Sequence, residues 1–162
     1  MRLLLLGCTG LVGRELVPIL SQEGHQLTVV SRRPRAAVAW ATDLGHDWLQ
    51  LDPAQASNWA QGGGLQQALE NADGVVNLAG EPIAEQRWTV AHRQLLNTSR
   101  LATTTHLVSA MQRLEQPPAV LVNASAVGFY GTSAEATFVE SSPAGDDLLG
   151  TLCRDWETAA SG

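Results

Sequence analysis

Three glycines at a fixed spacing constrain the fold of this chain more than any other feature. They lie in the segment GCTGLVG, residues 7–13, directly after the apolar run RLLLL and directly before a segment with helical periodicity. Glycines in a strand-to-helix turn let the backbone turn tightly, let amides approach a pyrophosphate and let the helix pack closely on the strand. The spacing therefore predicts a βα unit that begins with a phosphate-binding loop, because the helix N-terminus attracts anions.

Apolar runs and segments of helical periodicity alternate along the rest of the chain. Short strands are predicted at residues 2–6, 26–31, 48–51, 74–78 and 119–125. Helices are predicted at residues 11–23, 65–71, 88–114 and 148–160. This order predicts an α/β fold with a doubly wound parallel sheet, the NAD(P)-binding Rossmann fold. No sixth strand follows the last helix, so we expect the N-terminal part of a longer protein.

Periodicity also predicts which side of each long helix is buried. The inner side of the helix at 11–23 is expected to carry Leu11, Val12, Leu16, Ile19 and Leu20. The inner side of the helix at 88–114 is expected to carry Trp88, Ala91, Leu95, Ala102, Leu107, Val108 and Met111. His92 and His106 of the same helix could approach the pocket, but we expect them at the surface.

Composition excludes several classes of function. The chain of 162 residues is 44% hydrophobic, which is enough for one buried core, and it has no apolar run long enough to span a membrane. A net charge of −6 without a basic cluster argues against nucleic acid and anionic membrane as partners. Cys8 and Cys153 have no metal-ligand spacing, so we expect no metal site and a reduced, cytoplasmic protein.

The residues that follow the second strand indicate which dinucleotide the chain binds. An NAD site usually has a carboxylate there for the ribose 2′-OH, but this chain has Ser31, Arg32 and Arg33, with no carboxylate before Asp43. Because a guanidinium suits a 2′-phosphate, the pattern favours NADP(H) over a merely solvated basic loop. Asp52, after the third strand, is either a hydrogen-bond acceptor for the adenine amino group or a turn residue.

Four further motifs carry a family resemblance. They are NLAGEPIAEQRW at 77–88, S-R-x-x-T from Ser99 to Thr103, SAVGFYG at 125–131 and CRDWE at 153–157. With the glycine loop, they resemble the short-chain dehydrogenase/reductase superfamily of extended, sugar-nucleotide-epimerase type. The more specific likeness is to an atypical branch of epimerase-family, nucleoside-diphosphate-sugar-epimerase-like proteins.

Members of that branch are about twice as long as this chain. The resemblance therefore implies that residues 1–162 form the N-terminal NADP-binding domain and that a C-terminal substrate lobe lies outside this sequence. Some members in photosynthetic organisms carry the label SulA-like cell-division inhibitor. Many relatives dimerise through a four-helix bundle of the long helix and the last helix, which implies a homodimer.

The resemblance also implies which residues contact the cofactor. The glycine loop would hold the pyrophosphate, Ser31 and Arg32 the 2′-phosphate, and Leu78 and Ala79 the ribose and adenine side. Arg100 either faces the cofactor or is an ion-paired residue on the helix surface. The full set of implied cofactor residues is Gly7, Thr9, Gly10, Leu11, Val12, Gly13, Ser31, Arg32, Asp52, Leu78, Ala79, Gly80 and Arg100.

The catalytic pattern of the superfamily is incomplete in this chain. The chemistry needs a tyrosine and, four residues on, a lysine whose charge lowers the tyrosine pKa, with a serine in reach. The resemblance places that pair around Leu149 and Cys153, and the chain has no lysine at all. Ser125 matches the serine, as a substrate contact or as a cap of the strand end. Tyr130, the only tyrosine, is followed four residues on by Ala134 rather than lysine. The proton donor of an active enzyme would therefore be Tyr130, Ser125 or a residue of the expected C-terminal half.

Three functions are therefore open. The first is an NADP(H)-dependent oxidoreductase or epimerase-like enzyme that acts on an unidentified small molecule. The second is a non-catalytic NADP(H)-binding regulator or partner-binding protein, with a cell-division partner suggested by the label. The third, which the sequence favours least, is an interaction module with an empty nucleotide fold. The missing lysine favours the second, whereas the cofactor loop and the Ser125–Tyr130 spacing favour the first.

Overall fold

Five apolar and β-branched runs form one parallel sheet in a computed structural model that describes residues 1–41 and 45–162. The strands are β1 (Arg2–Leu6), β2 (Gln26–Ser31), β3 (Asp47–Gln50), β4 (Gly74–Asn77) and β5 (Val120–Asn123). Their order in the sheet is β3-β2-β1-β4-β5, and every neighbouring pair is parallel. Asp43 lies outside the described residues.

In the described part of the chain, four α-helices connect and cover these strands. They are α1 (Leu11–Gln22), α2 (Gly64–Glu70), α3 (Val90–Gln112) and α4 (Leu148–Ser161). Thr89 caps α3 by accepting a hydrogen bond from the His92 amide, and Asp147 caps α4 by accepting one from the Gly150 amide. No helix in the described part of the chain is long and apolar enough to cross a membrane.

The core lies on both faces of the sheet, because successive side chains of a strand point to opposite faces. On one face, Leu4 and Leu6 of β1 pack in a cluster with Leu65 of α2 and Leu107 of α3. On the other face, Leu3 and Leu5 of β1 pack in a cluster with Val17 of α1. The central strand β1 is consequently the most deeply buried, with Leu4, Leu5 and Leu6 fully inaccessible to solvent.

These observations confirm the predicted α/β fold and the parallel sheet. Every predicted helix and strand is present, and its ends lie within two residues of the predicted ends. Successive strands are added on one side of β1 up to β3 and on the other side from β4 onward, so the strand order reverses at β1. Ligands of open α/β sheets bind in the crevice at the carboxyl ends of the strands beside such a reversal.

The predicted inner side of α1 is partly wrong. Three of the five residues predicted there are exposed: Leu11, Val12 and Ile19. Gly13 and Val17 are the buried residues of the helix instead. A Cβ at Gly13 would overlap the Cys8 backbone, so the helix approaches the sheet most closely at this glycine. This close contact sets the rotation of α1, and hydropathy alone does not reveal it.

The predicted inner side of α3 is also partly wrong. Leu95 and Trp88 are exposed, whereas His92 is 5% exposed and therefore buried, contrary to its predicted surface position. Both ring nitrogens of His92 lack a hydrogen-bond partner within the described residues. The buried stripe of α3 also contains Thr103 and Thr104. Because polar residues occupy much of this stripe, the pattern of apolar residues along the helix did not predict which side is buried.

Candidate cofactor site

A groove of about 800 Å³ lies at the carboxyl edge of the sheet. This volume is in the range of small-molecule sites, about 300–1,000 Å³. Four chain segments that follow strand ends line the groove. Their lining residues include Gly7, Thr9, Gly10 and Leu11 after β1; Ser31, Arg32 and Arg33 at and after β2; Asp52 after β3; and Ala79, Gly80 and Glu81 after β4.

The three glycines of the first loop are required for different reasons. Gly7 has a φ of +71°, in the left-handed region, and a Cβ there would collide with the backbone of Ala79. Gly13 allows the close packing of α1 described above. A Cβ at Gly10 would meet only the Gly7 carbonyl oxygen, at 4.0 Å. Protein packing therefore explains the first and third glycines and leaves the second open to the groove.

The N-terminus of α1 presents its first backbone amides beside this open glycine. Gly10 is the N-cap of α1 and supplies no side-chain cap. The first amides of a helix have no partner within the helix, and the helix dipole makes this end electropositive. The loop and the helix end together fit an anionic group such as a pyrophosphate, so the residues present suit a dinucleotide. Val12 and Gly13 belong to this helix end but do not line the groove.

The end of β2 is ordered by the hydroxyl of Ser31. The Ser31 Oγ accepts a hydrogen bond of 3.0 Å from the Arg33 amide, and Ser31 itself is buried. The Arg33 Nη2 then donates to the Thr9 carbonyl oxygen at 3.2 Å. Arg33 thus joins the end of β2 to the glycine loop. The sequence prediction did not include Arg33 among the cofactor residues, although two consecutive arginines after the strand were a visible signal.

Arg32 lies at the groove in an ion pair. Its Nη2 is 3.3 Å from the Oε2 of Glu81, which follows β4. The sequence prediction also missed Glu81. The available signal was a carboxylate four residues after the end of the fourth strand, since parallel strands bring their carboxyl ends to one edge of the sheet.

Asp52 forms a turn and also lines the groove. Its Oδ1 accepts a hydrogen bond of 3.0 Å from the Ala54 amide, and its carbonyl oxygen accepts one of 2.9 Å from the Asn58 side chain. The turn is therefore observed, and a contact between Asp52 and an adenine stays a prediction.

Ala79 and Gly80 line the groove, whereas Leu78 and Arg100 do not. Leu78 packs against the core cluster on the α1 side of the sheet. Arg100 lies behind Gly80, because a Cβ at Gly80 would come within 2.8 Å of the Arg100 Cζ. The Arg100 Cζ is also 5.3 Å from the ring centroid of Trp156.

The surroundings of Arg100 affect its ionisation. Burial lowers the pKa of Arg100, while electrostatic interactions with Cys153 and Glu81 act in the opposite direction. Arg100 thus contributes positive charge behind the groove and packs between Gly80 and Trp156.

Ser125 and Tyr130 lie beyond the end of β5, and neither lines the groove. The Ser125 hydroxyl donates a short hydrogen bond to the Glu157 carboxylate of α4. The Tyr130 ring stacks on Phe138 with centroids 5.3 Å apart and planes 12° apart. The structure therefore gives Ser125 a carboxylate partner that sequence reasoning missed, and it places Tyr130 in an aromatic contact.

The two positions expected to hold tyrosine and lysine lie on α4. Cys153 is buried, and burial raises the pKa of its thiol, so the thiol stays protonated. Leu149 packs near Gly128, because a Cβ added at Gly128 would lie 3.3 Å from the Leu149 Cβ. Neither side chain can replace the proton-exchanging pair of the superfamily.

Among the described residues, no group of His, Cys, Asp and Glu is arranged to hold a metal ion.

A buried polar network connects the strands to α3 and α4 beside the groove. The Asn77 Nδ2 donates to the Asn123 Oδ1 at 2.6 Å and to the Thr104 Oγ1 at 3.0 Å. The Trp156 Nε1 donates to the same Thr104 oxygen at 2.9 Å. One threonine hydroxyl therefore joins β4, α3 and α4, and it holds in place the helix that carries the partner of Ser125.

Comparison with known proteins assigns the family. The sequence profile of the NAD dependent epimerase/dehydratase family matches residues 3–148. This chain belongs to the NAD dependent epimerase/dehydratase family. The resemblance drawn from the motifs is confirmed at this level.

Curated members of the family are similar along almost the whole chain. The chloroplastic homolog of epimerase family protein SDR39U1 from Arabidopsis thaliana is 35% identical over 156 residues, which cover 95% of this chain and 42% of that protein. SDR39U1 from Homo sapiens is 35% identical over 163 residues, which cover 99% of this chain and 49% of that protein. The chain thus spans about half the length of these relatives.

Several solved structures share the fold. Human SDR39U1 (isoform2), solved with NADPH, superposes with a TM-score of 0.76 at 34% identity, covering 99% of this chain and 48% of that one. A nucleoside-diphosphate sugar epimerase from Corynebacterium glutamicum superposes with a TM-score of 0.74 at 29% identity, covering 99% and 30%. A UDP-galactose 4-epimerase at 22% identity and a TM-score of 0.72 is similar in fold.

Proposed function

We propose that this chain binds NADP(H) in the groove and forms the nucleotide-binding part of an epimerase-like oxidoreductase. The observation that carries the proposal is that one groove joins the open Gly10 and the N-terminus of α1 to Arg32 and Arg33. The NADPH found with the human relative supports this assignment.

Each part of the groove has a role in this proposal. The Gly10 loop and the first amides of α1 hold the pyrophosphate. Arg32 and Arg33 hold the 2′-phosphate, because guanidinium groups make strong, charge-assisted hydrogen bonds to phosphate oxygens. Asp52 accepts a hydrogen bond from the adenine amino group, and Ala79 lies against the nucleotide. When bound, the nicotinamide ring supplies or accepts a hydride.

Ser125 and Glu157 are the proposed proton-handling groups. The Ser125 hydroxyl already donates to the Glu157 carboxylate, which is an acceptor within hydrogen-bond reach. In this arrangement the Ser125 oxygen accepts a hydrogen bond from a substrate hydroxyl, takes up that proton when the substrate is oxidised and passes its own proton to Glu157. The reverse transfer returns a proton to the substrate oxygen when the substrate is reduced. Tyr130 contributes a hydrogen-bond donor and an aromatic surface next to Phe138.

A second candidate is a non-catalytic NADP(H)-binding regulator. The observation that favours it is that Leu149 and a buried, protonated Cys153 occupy the positions of the tyrosine and lysine. In this case the cofactor would report its redox state to a protein partner. The cell-division partner and the homodimer implied by the resemblance, and the cytoplasmic location expected from the cysteines, belong to this part of the proposal.

A titration with NADPH and NADH, followed by nicotinamide fluorescence, tests the cofactor assignment. We expect tighter binding of NADPH. Arg32→Ala should weaken NADPH binding by about tenfold to a hundredfold, because a charge-assisted hydrogen bond contributes roughly 1.5–3 kcal/mol. NADH affinity should change by less than about twofold, since NADH has no 2′-phosphate.

Arg154→Ala is the matched control, because Arg154 is exposed on α4 and pairs with its neighbour Asp155. It should leave both affinities unchanged. Equal losses of NADPH and NADH affinity in Arg32→Ala would refute the assignment to NADP(H).

Consumption of NADPH in the presence of a panel of small aldehydes and ketones separates the two candidates. An oxidoreductase should consume NADPH, and Ser125→Ala should abolish that consumption while leaving NADPH binding intact. A regulator should bind NADPH without consuming it.

A further inference from the structure

The arginine assigned to the 2′-phosphate is held by a carboxylate across the groove. Arg32 follows β2 and Glu81 follows β4, and these two strands flank β1 in the sheet. Their side chains meet at 3.3 Å, and both residues line the groove. The ion pair therefore spans the part of the groove that contains the glycine loop after β1.

The two partners of this ion pair differ in their freedom to move. The Glu81 side chain is 14% exposed, whereas the Arg32 side chain is 57% exposed. The Glu81 amide donates a hydrogen bond of 3.0 Å to the Ser99 Oγ of α3. The Ser99 hydroxyl in turn donates to the Leu96 carbonyl oxygen at 3.2 Å. Glu81 is thus fixed against α3, and Arg32 is the partner that can move.

A second guanidinium keeps positive charge near Glu81 when Arg32 moves. Arg100 packs against Gly80, the residue before Glu81, and interacts electrostatically with the Glu81 carboxylate. A largely buried carboxylate without a cation nearby would carry a desolvation cost. Because Arg100 remains in place, the Glu81 side chain keeps a cation nearby while Arg32 turns toward a ligand.

We propose that Glu81 is a specificity-determining residue of the groove, which competes with the 2′-phosphate of NADPH for Arg32. This inference rests on the proposed function. A 2′-phosphate must either draw Arg32 away from Glu81 or share it at the cost of repulsion between two anions. NADH carries no such group and leaves the ion pair intact. Glu81 therefore reduces the preference for NADPH below the level that Arg32 alone would give.

The test is the ratio of NADPH to NADH dissociation constants in E81Q, measured by nicotinamide fluorescence. Glutamine keeps the shape of the side chain and removes its charge. We expect NADPH to bind about two- to fivefold more tightly, which is the range set by exposed ion pairs. NADH affinity should stay within about twofold, which also shows that the variant is folded.

Two further variants sharpen the test. E85Q removes a carboxylate from the same groove, and Glu85 forms no ion pair within residues 1–41 and 45–162. It should change the ratio much less than E81Q does. In the Arg32→Ala background, E81Q should change the ratio much less than it does in the wild-type background, because the shared arginine is gone.

Other results would overturn the inference in recognisable ways. Weaker NADPH binding in E81Q with unchanged NADH binding would mean that Glu81 positions Arg32 for the phosphate. An unchanged ratio, or an equal change in E85Q, would mean that Glu81 does not compete for Arg32. If the wild-type chain itself shows no preference for NADPH, the proposed function fails and this competition fails with it.

Discussion

Replacing Thr104 by valine removes one oxygen atom from the buried network and leaves the shape of the side chain nearly unchanged. The Thr104 Oγ1 accepts hydrogen bonds from the Trp156 Nε1 at 2.9 Å and from the Asn77 Nδ2 at 3.0 Å. Thr104 and Asn77 are fully buried, and Trp156 is 4% exposed. Both donors would therefore lose an acceptor at a place that water reaches poorly.

The expected cost follows from these two donors. A buried donor that loses its partner costs about 1–3 kcal/mol. The Asn77 amide keeps its hydrogen bond to the Asn123 side chain, so its loss should lie at the lower end of that range. We expect the free energy of unfolding to fall by about 2–5 kcal/mol in total, a large share of the roughly 5–15 kcal/mol that stabilises a domain.

Urea denaturation followed by circular dichroism measures this change. Thr105→Val is the matched control, because Thr105 is exposed on the next position of α3. The control should lie within about 0.5 kcal/mol of wild type. A midpoint for Thr104→Val equal to that of the control, with an unchanged denaturant slope, would refute the reasoning. It would mean that the two donors find other partners in the folded protein.

The remaining predictions concern the glycine loop and two titrating groups. Gly10→Val should abolish binding of both NADPH and NADH while keeping the melting temperature, because its Cβ meets no protein atom closer than 4.0 Å; an unchanged affinity would contradict the phosphate-loop role. Gly13→Ala should lower stability in urea denaturation, since the new Cβ would overlap the Cys8 backbone. Burial raises the pKa of Cys8 to about 12, so a thiol reagent should label it only after unfolding; rapid labelling of the native protein would contradict this. Hydrogen bonding to Arg2 lowers the pKa of Asp73 below its ordinary value, so their interaction stabilises the fold above that value and is lost as the pH falls through the folded pKa. Asp73→Asn should therefore lose less additional stability on acidification than wild type, as measured by melting temperature against pH.

The helices and strands could be predicted closely because their signals are local. The run RLLLL and the β-branched segment at 26–31 mark two central strands, and the observed strands β1 and β2 have the predicted ends. The glycine loop was recognisable for the same reason, since a strand, a turn and a helix follow one another within a few residues. Helix faces were predicted less well where the inner stripe is polar, as at Thr103 and Thr104 of α3.

The candidate site was predictable in its outline and not in its pairings. Gly10, Arg32 and Asp52 come from separate strand ends, and the structure brings all three to one groove. Their grouping follows from the parallel order of the strands, which the sequence pattern predicts. Glu81 and Glu157 were missed, because each acts through a partner that lies far away along the chain.

The sequence by itself determined the order of strands and helices, the phosphate-loop spacing and the basic end of the second strand. These features depend on residues within about one turn or one strand of each other. Only the tertiary structure decided that Glu81 holds Arg32, that Glu157 accepts from Ser125 and that Thr104 joins Asn77 to Trp156. Such contacts depend on the distances between separate helices and strands, and those distances are set by how the whole core packs.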